Sequence, residues 1–165
     1  MEKAPRTVEL DRSYSEQNLK YDIAQVRALR AFAYFYMVRI WGDVPLVTYS
    51  YDNGTFPSMP RTDAQTVLSY AKAELLTAIK DLPYQYGTQT NLYYGSYDSQ
   101  WQGKLFNKLS AYSVLAHICA WQGNYAETET YSAFILDHAS EINAKYTSIT
   151  DLTSETGLLY SNARI

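Results

Sequence analysis

Hydrophobic positions recur at three- and four-residue steps through Ile23, Val26, Leu29, Phe32-Ala33, Tyr36 and Ile40. That spacing predicts an amphipathic helix from about Ser15 to Trp41, with these side chains on its buried face. A polar lead-in, residues 1–13, precedes it; Gly42 ends it and Pro45 prevents its resumption. Residues 43–61 carry Asn53-Gly54, Pro57 and Pro60 among β-branched and aromatic side chains, the pattern of an extended loop or a short hairpin. Thr62, with Gln65 three positions on, has the form of a capping box. It opens a second helix whose apolar stripe is Val67, Ala71, Leu75, Ala78-Ile79 and Leu82, closed by Pro83. After a polar stretch, a third helix is predicted from about Lys104 to Trp121, with Leu105, Leu109, Tyr112, Ala116 and Cys119 on one side and Gly123 at its end. Asn124 with Glu127 caps a fourth, to about His138. The last stretch, 140–165, is polar apart from Leu158-Leu159-Tyr160, a run with the composition of a short strand.

The third and fourth helices form a hairpin of about 34 residues, the period of tetratricopeptide repeats. Tyr112, Leu115, Ala116, Gly123 and Tyr125 fall where that repeat places an aromatic, a leucine, a small residue, the turn glycine and an aromatic; Thr128 stands where it prefers alanine. The first two helices read as a second hairpin, opened by an insertion. The expectation is an all-α domain over 1–165, built of tetratricopeptide-like helical pairs at about 15–83 and 104–139 with a C-terminal polar segment, 140–165. Its long loops leave room for a short strand or hairpin. Two pairs are fewer than the roughly three repeats that make a stable solenoid, so further structure is expected to support them.

Composition adds one feature. The 165-residue chain has 17 tyrosines against five phenylalanines and three tryptophans, so its rings are mostly amphipathic. Tyr34, Tyr36, Tyr70, Tyr112, Tyr125 and Tyr131 fall at or near helix-packing positions and are expected to fill space. Tyr84, Tyr86, Tyr93, Tyr94, Tyr97 and Trp101 instead lie in a loop with Gln85, Gln89, Asn91, Asp98 and Gln102. A sugar ring presents an apolar C–H face and a girdle of hydroxyls, so a saccharide site needs aromatic platforms and amide or carboxylate groups together, and this loop holds both. The alternative is that these rings fill gaps or contact a further part of the protein.

Other chemistries find little support. A net charge of −3 with no basic stripe argues against nucleic acid. The longest apolar run, Ala31 to Val38, falls far short of the roughly 20 residues of a membrane span. A single cysteine, Cys119, allows no internal disulfide, and His117, two residues away on a helix, points elsewhere, so no metal pair forms there. No cofactor motif occurs. Glycoside hydrolysis would need two carboxylates flanking a cleft; Asp43, Asp52, Asp98 and Asp151 lie in loop-like regions, with nothing to mark one as a proton donor. Arg27 and Arg30 read by default as a solvated face. In Trp41-Gly42-Asp43-Val44-Pro45 the expected roles are structural: glycine as helix stop, proline as rigid turn, Trp41 as corner plug and Asp43 as partner of local backbone donors.

Three segments together resemble the SusD/RagB family of outer-membrane glycan-binding lipoproteins. Gln25-Val26-Arg27-Ala28-Leu29-Arg30-Ala31-Phe32-Ala33-Tyr34-Phe35, running on to Val38-Arg39-Ile40-Trp41-Gly42-Asp43-Val44-Pro45-Leu46-Val47, is similar to the family's long helix and the corner that ends it. Pro60-Arg61-Thr62 through Lys80-Asp81-Leu82-Pro83 resembles its next helix. Gly103-Lys104 through Gly123-Asn124-Tyr125 resembles the one after, with its glycine turn. The likeness covers about residues 20–138. It implies a non-catalytic protein without cofactors, placed on the outer surface of the outer membrane. There it captures oligosaccharides or polysaccharides and passes them to a SusC-like TonB-dependent transporter, the repeat helices serving as scaffold. The chain is shorter than a full member and lacks the signal and the lipid-anchor cysteine, so it is expected to be an N-terminal-half fragment. Whether its own loops touch glycan, or its surface only docks the transporter, stays open at this point.

Overall fold

The computed structural model describes residues 5–11, 13–51, 54, 56–86, 104–142 and 144. Among them the elements are helical: α1, Pro5–Leu10; α2, Glu16–Trp41; α3, Ala64–Ala78; α4, Lys108–Trp121; α5, Tyr125–Asp137; and a 3-10 turn, Ala139–Ile142. None of the described helices is long and apolar enough to cross a membrane. α1 lies in the segment expected to be a polar lead-in. The expected run Leu158-Leu159-Tyr160 lies outside the described residues.

The helix starts follow local side-chain chemistry. Ser15 accepts from the Asn18 amide at the head of α2, and Asn124 from the Glu127 amide at the head of α5. Two caps differ from expectation. α3 is capped by Asp63, which accepts from the Thr66 amide, while Thr62 pairs with Val44 in a single antiparallel bridge. α4 begins at Lys108 rather than near Lys104, because Asn107 and Ser110 form a reciprocal capping box.

α2 and α3 pack along their lengths, α4 packs against α5 and α3, and α2 touches α4. The core sits between α2, α3 and α4. Ala24, Ala28 and Ala31 face Val67, Leu68, Ala71, Leu75 and Ala78, and small residues on both sides let the two axes approach closely. α4 contributes Leu109, Ala111, Val114, Leu115, Ile118 and Cys119, buried around most of its circumference, as befits the central element. Every buried residue of α2 lies off the stripe expected to be buried. The inner face is Asn18, Tyr21, Ala24, Ala28, Ala31, Tyr34, Phe35 and Val38, whereas Val26, Leu29, Tyr36 and Ile40 are exposed. Both faces carry helical periodicity; the inside took the three alanines, with Tyr21 before them and Tyr34 and Phe35 after. Tyr125 is likewise exposed, while Tyr34 is buried and Tyr70, Tyr112 and Tyr131 are partly so.

Candidate functional site

The corner after α2 positions the first candidate surface. Gly42 has φ 70° and donates its amide to the Val38 carbonyl at 2.8 Å, a left-handed stop that suits glycine. Asp43 Oδ1 then accepts from the Ala64 amide at 2.9 Å, satisfying a free N–H at the head of α3 across 21 residues of sequence. Val44 exchanges amide and carbonyl with Thr62 at 3.2 and 3.0 Å. The Tyr34 hydroxyl accepts from the Val47 amide at 2.7 Å and donates to the Val47 carbonyl at 3.1 Å, so the strand-like chain after Pro45 is held onto α2. Trp41 is no plug: it is 62% exposed.

Beyond this clamp, Tyr49, Tyr51 and Phe56 form an aromatic platform. The Tyr49 and Tyr51 rings lie 4.8 Å apart and those of Tyr51 and Phe56 5.6 Å. Tyr51 donates to the Tyr49 hydroxyl at 2.8 Å and lies 3.4 Å from Met59 Sδ. That bond to Tyr49 keeps the Tyr51 proton on, raising its pKa. Tyr49 is 60% and Phe56 76% exposed although both rings pack on Tyr51. No sequence expectation singled them out. The available signal was the spacing of Tyr49 and Tyr51, since alternate side chains of an extended segment share a face.

The second surface is the base of the tyrosine-rich stretch. Tyr86 is 4% exposed, packs edge-on against Tyr21 with ring centroids 5.9 Å apart, and donates its hydroxyl to the Phe106 carbonyl at 3.1 Å. Gln25 of α2 reaches both ends of the stretch. Its Nε2 donates to the Tyr86 hydroxyl and the Phe106 carbonyl, and its Oε1 accepts from the Phe106 amide at 2.9 Å. The Lys108 amide donates to the Pro83 carbonyl at 2.8 Å. Burial pushes the Tyr86 hydroxyl's pKa far up, so it stays protonated and able to donate. Tyr86 is therefore an anchor at the mouth of the stretch, with its ring turned inward.

Tyr84, half-buried, stacks with His138 at 5.8 Å and carries the Lys108 ammonium 5.1 Å above its ring. His138 also stacks on Phe134 at 4.0 Å. Tyr93, Tyr94, Tyr97 and Trp101 lie outside the described residues, as do Asp52, Asp98 and Asp151. Gly123, with φ 77°, makes the α4–α5 turn.

The charged residues serve packing. Arg27 and Arg30 do not form a solvated face: both converge on Glu74 of α3, Arg27 Nη1 lying 2.7 Å from Glu74 Oε1, with Arg30 also over the Tyr70 ring. Lys72 of α3 pairs with Glu127 of α5, which Asn124 also reaches; Cys119 Sγ lies 3.7 Å from Glu127 Oε2. His117 is exposed and Cys119 buried, on different faces. Among the described residues no His, Cys, Asp or Glu group of three is placed to hold a metal ion.

Taken together, the helical pairs, the clamped corner and the pinned residues on either side of the tyrosine-rich stretch define a helical scaffold that carries the exposed Tyr49 and Phe56 rings. No protein-family model and no curated protein matches the sequence. Among solved structures, a SusD superfamily protein from Bacteroides thetaiotaomicron VPI-5482 is 96% identical, with a TM-score of 0.88 over 99% of this chain and 36% of its own. A laminarin-binding SusD-like protein is 25% identical, TM-score 0.59, over 71% of this chain and 23% of its own. Surface glycan-binding protein A from Bacteroides uniformis, at 20% identity and TM-score 0.64, covers 91% of this chain and 30% of its own, and shows the shared fold. The chain belongs to the SusD/RagB family. It spans about a third of the length of the 96% identical relative.

Proposed function

We propose that this chain is the helical scaffold part of a non-catalytic, cell-surface oligosaccharide-binding protein that delivers its ligand to a TonB-dependent outer-membrane transporter. The observation that carries the reading is the near-identity to a SusD superfamily protein, in a family whose other members include laminarin- and glycan-binding proteins by name. The local chemistry agrees with it. Exposed rings at Tyr49 and Phe56, and the stretch that opens at Tyr84 and holds Tyr93, Tyr94, Tyr97 and Trp101, offer flat apolar faces beside amides, the combination that orients a polyhydroxylated ring. Tyr86 and Gln25 hold the base of that stretch and so act on its position rather than on the sugar. The anchor on the outer membrane and the transporter partner follow from the family reading.

Calorimetry against a polysaccharide panel tests this. Tyr93→Ala/Tyr94→Ala/Trp101→Ala and Tyr49→Ala/Phe56→Ala are compared with the unchanged protein. The expected result is saccharide binding that weakens roughly fivefold or more in at least one of the two, as loss of two stacking contacts of about 0.5–1.5 kcal/mol each would give. Binding unchanged in both places the sugar contacts elsewhere. No binding by the unchanged chain at millimolar ligand favours a surface that only docks the transporter.

A further inference from the structure

The outer face of α2 is apolar along most of its length. Val26, Leu29, Tyr36 and Ile40 are 52%, 59%, 45% and 63% exposed, with Ala33, also exposed, completing the row. Steps of three and four residues put these five on one stripe, on the opposite side of the helix from Ala24, Ala28, Ala31 and Val38. No charged residue interrupts it from Val26 to Ile40. At its C-terminal end the row widens. The Arg39 guanidinium lies 5.4, 5.3 and 5.5 Å from the ring centres of Phe35, Tyr36 and Trp121, and Trp121 is itself mostly exposed. Tyr, Trp and Arg are the residue types that carry most binding energy at protein interfaces, and here they stand at the end of the aliphatic row. A contiguous apolar row of this length is uncommon on a surface left in water.

We propose that this stripe is an intramolecular interface, the seat of the polypeptide that makes up the rest of the longer family chain. The argument for that occupant is one of length and tethering. In the 96% identical relative this chain accounts for 36% of the polypeptide, so nearly two thirds of that protein lies outside it, joined covalently to it. A tethered segment is present at an effective concentration of roughly millimolar, well above what a second copy or a separate protein reaches. The row is also uncharged, which suits a buried face that stays covered better than a transient contact with a polar rim. Covered in this way, Val26, Leu29, Tyr36 and Ile40 form a second core layer, and α2 is sandwiched between α3 on one side and the remaining polypeptide on the other.

The test is thiol labelling of the complete polypeptide carrying Leu29→Cys, Ile40→Cys or Val26→Cys, singly, with sites resolved by peptide mapping. Each native rate is divided into the rate in denaturant. The expected result is native protection of at least about tenfold at two or more of the three sites, the range of a closed interface that opens only locally, and independent of protein concentration. Labelling within about threefold of the denatured rate at all three sites overturns the proposal, because the face is then open. Protection that grows with protein concentration also overturns it, in favour of a second copy. The three variants are independent, so one that fails to fold, seen as lost near-ultraviolet ellipticity, leaves the other two to decide. The readout does not involve saccharide, so its failure is distinct from failure of the binding assignment.

Discussion

Glu74 gathers two guanidinium groups at the α2–α3 contact, and neither arginine has a nearer carboxylate among the described contacts. Glu74→Gln keeps the shape and removes the charge, leaving Arg27 and Arg30 to face each other. Both arginines retain partial exposure, so the expected cost is about 2 kcal/mol rather than that of a fully buried pair. In a thermal melt that is roughly 4–8 °C of Tm for a chain of this size, and an unchanged Tm would show that water serves the arginines as well as Glu74 does. Cys119 illustrates the opposite case. Burial raises its pKa, the nearby Lys72 working against that, so its thiol is protonated and shielded. It should react with a maleimide only as fast as α5 lifts off α4 or the protein unfolds; labelling at the rate of an exposed thiol would contradict the packing described for α4.

At the scale of elements, Asp43 and Asp63 share the head of α3, one from the preceding corner and one from the capping position. Asp43→Ala should cost about 1 kcal/mol in denaturant unfolding, as loss of a helix cap does, and Asp63→Ala should lower the midpoint as well. Hydrogen bonds to Thr66 depress the Asp63 pKa. The Glu127 pKa is lowered chiefly by its hydrogen bond to Lys72. For Lys72 burial, the largest single effect, pulls its pKa down, and the Glu127 bond together with the neighbouring acidic groups of Cys119, Glu127 and Tyr131 brings it above the ordinary value. In both carboxylates the folded value lies below the unfolded one. Their contribution to stability is therefore complete above the ordinary carboxylate range, about pH 4, and is lost as pH falls through the folded values. Urea midpoints measured from pH 7 to 3 should decline over that acidic window, and Lys72→Met should flatten the part due to Glu127.

The positions of the helices were legible because glycine, proline and cap residues punctuate them: Gly42, Pro83, Gly123 and Asn124 all act where their chemistry requires. The side of α2 that faces inward was not legible. Periodicity finds a stripe of large apolar residues, but close approach of α2 and α3 needs alanines, and two helical stripes on one helix cannot be ranked without knowing both partners. Tyr34 and Tyr86 were visible as rings, while their use as clamps depends on Val47 and on Phe106, contacts distant in sequence. Arg27 and Arg30 failed as a solvated face for the same reason: Glu74 is 47 residues from Arg27. The Tyr49–Tyr51–Phe56 platform was hidden in a segment read only for its turns.

For the whole molecule, the order of the layers separates a well-anchored part from a lightly held one. α2, α3 and α4 share the core, whereas α5 has no buried residue. It is held by the Lys72–Glu127 pair, by the 4.2 Å contact of Tyr112 with Phe134, and by the stack of its C-cap His138 on Tyr84. In a repeat array, stability is a sum of intrinsic terms and nearest-neighbour couplings, and a unit coupled on one side opens independently of the rest. Native-state hydrogen exchange should therefore resolve two cooperative units, with α5 amides exchanging at lower free energy than those of α3 and α4; uniform exchange across all four helices would contradict this. Among the described residues α5 is the outermost helix of the array, and a further helical hairpin stacking on it would gain its coupling energy and confer stiffness in the same step.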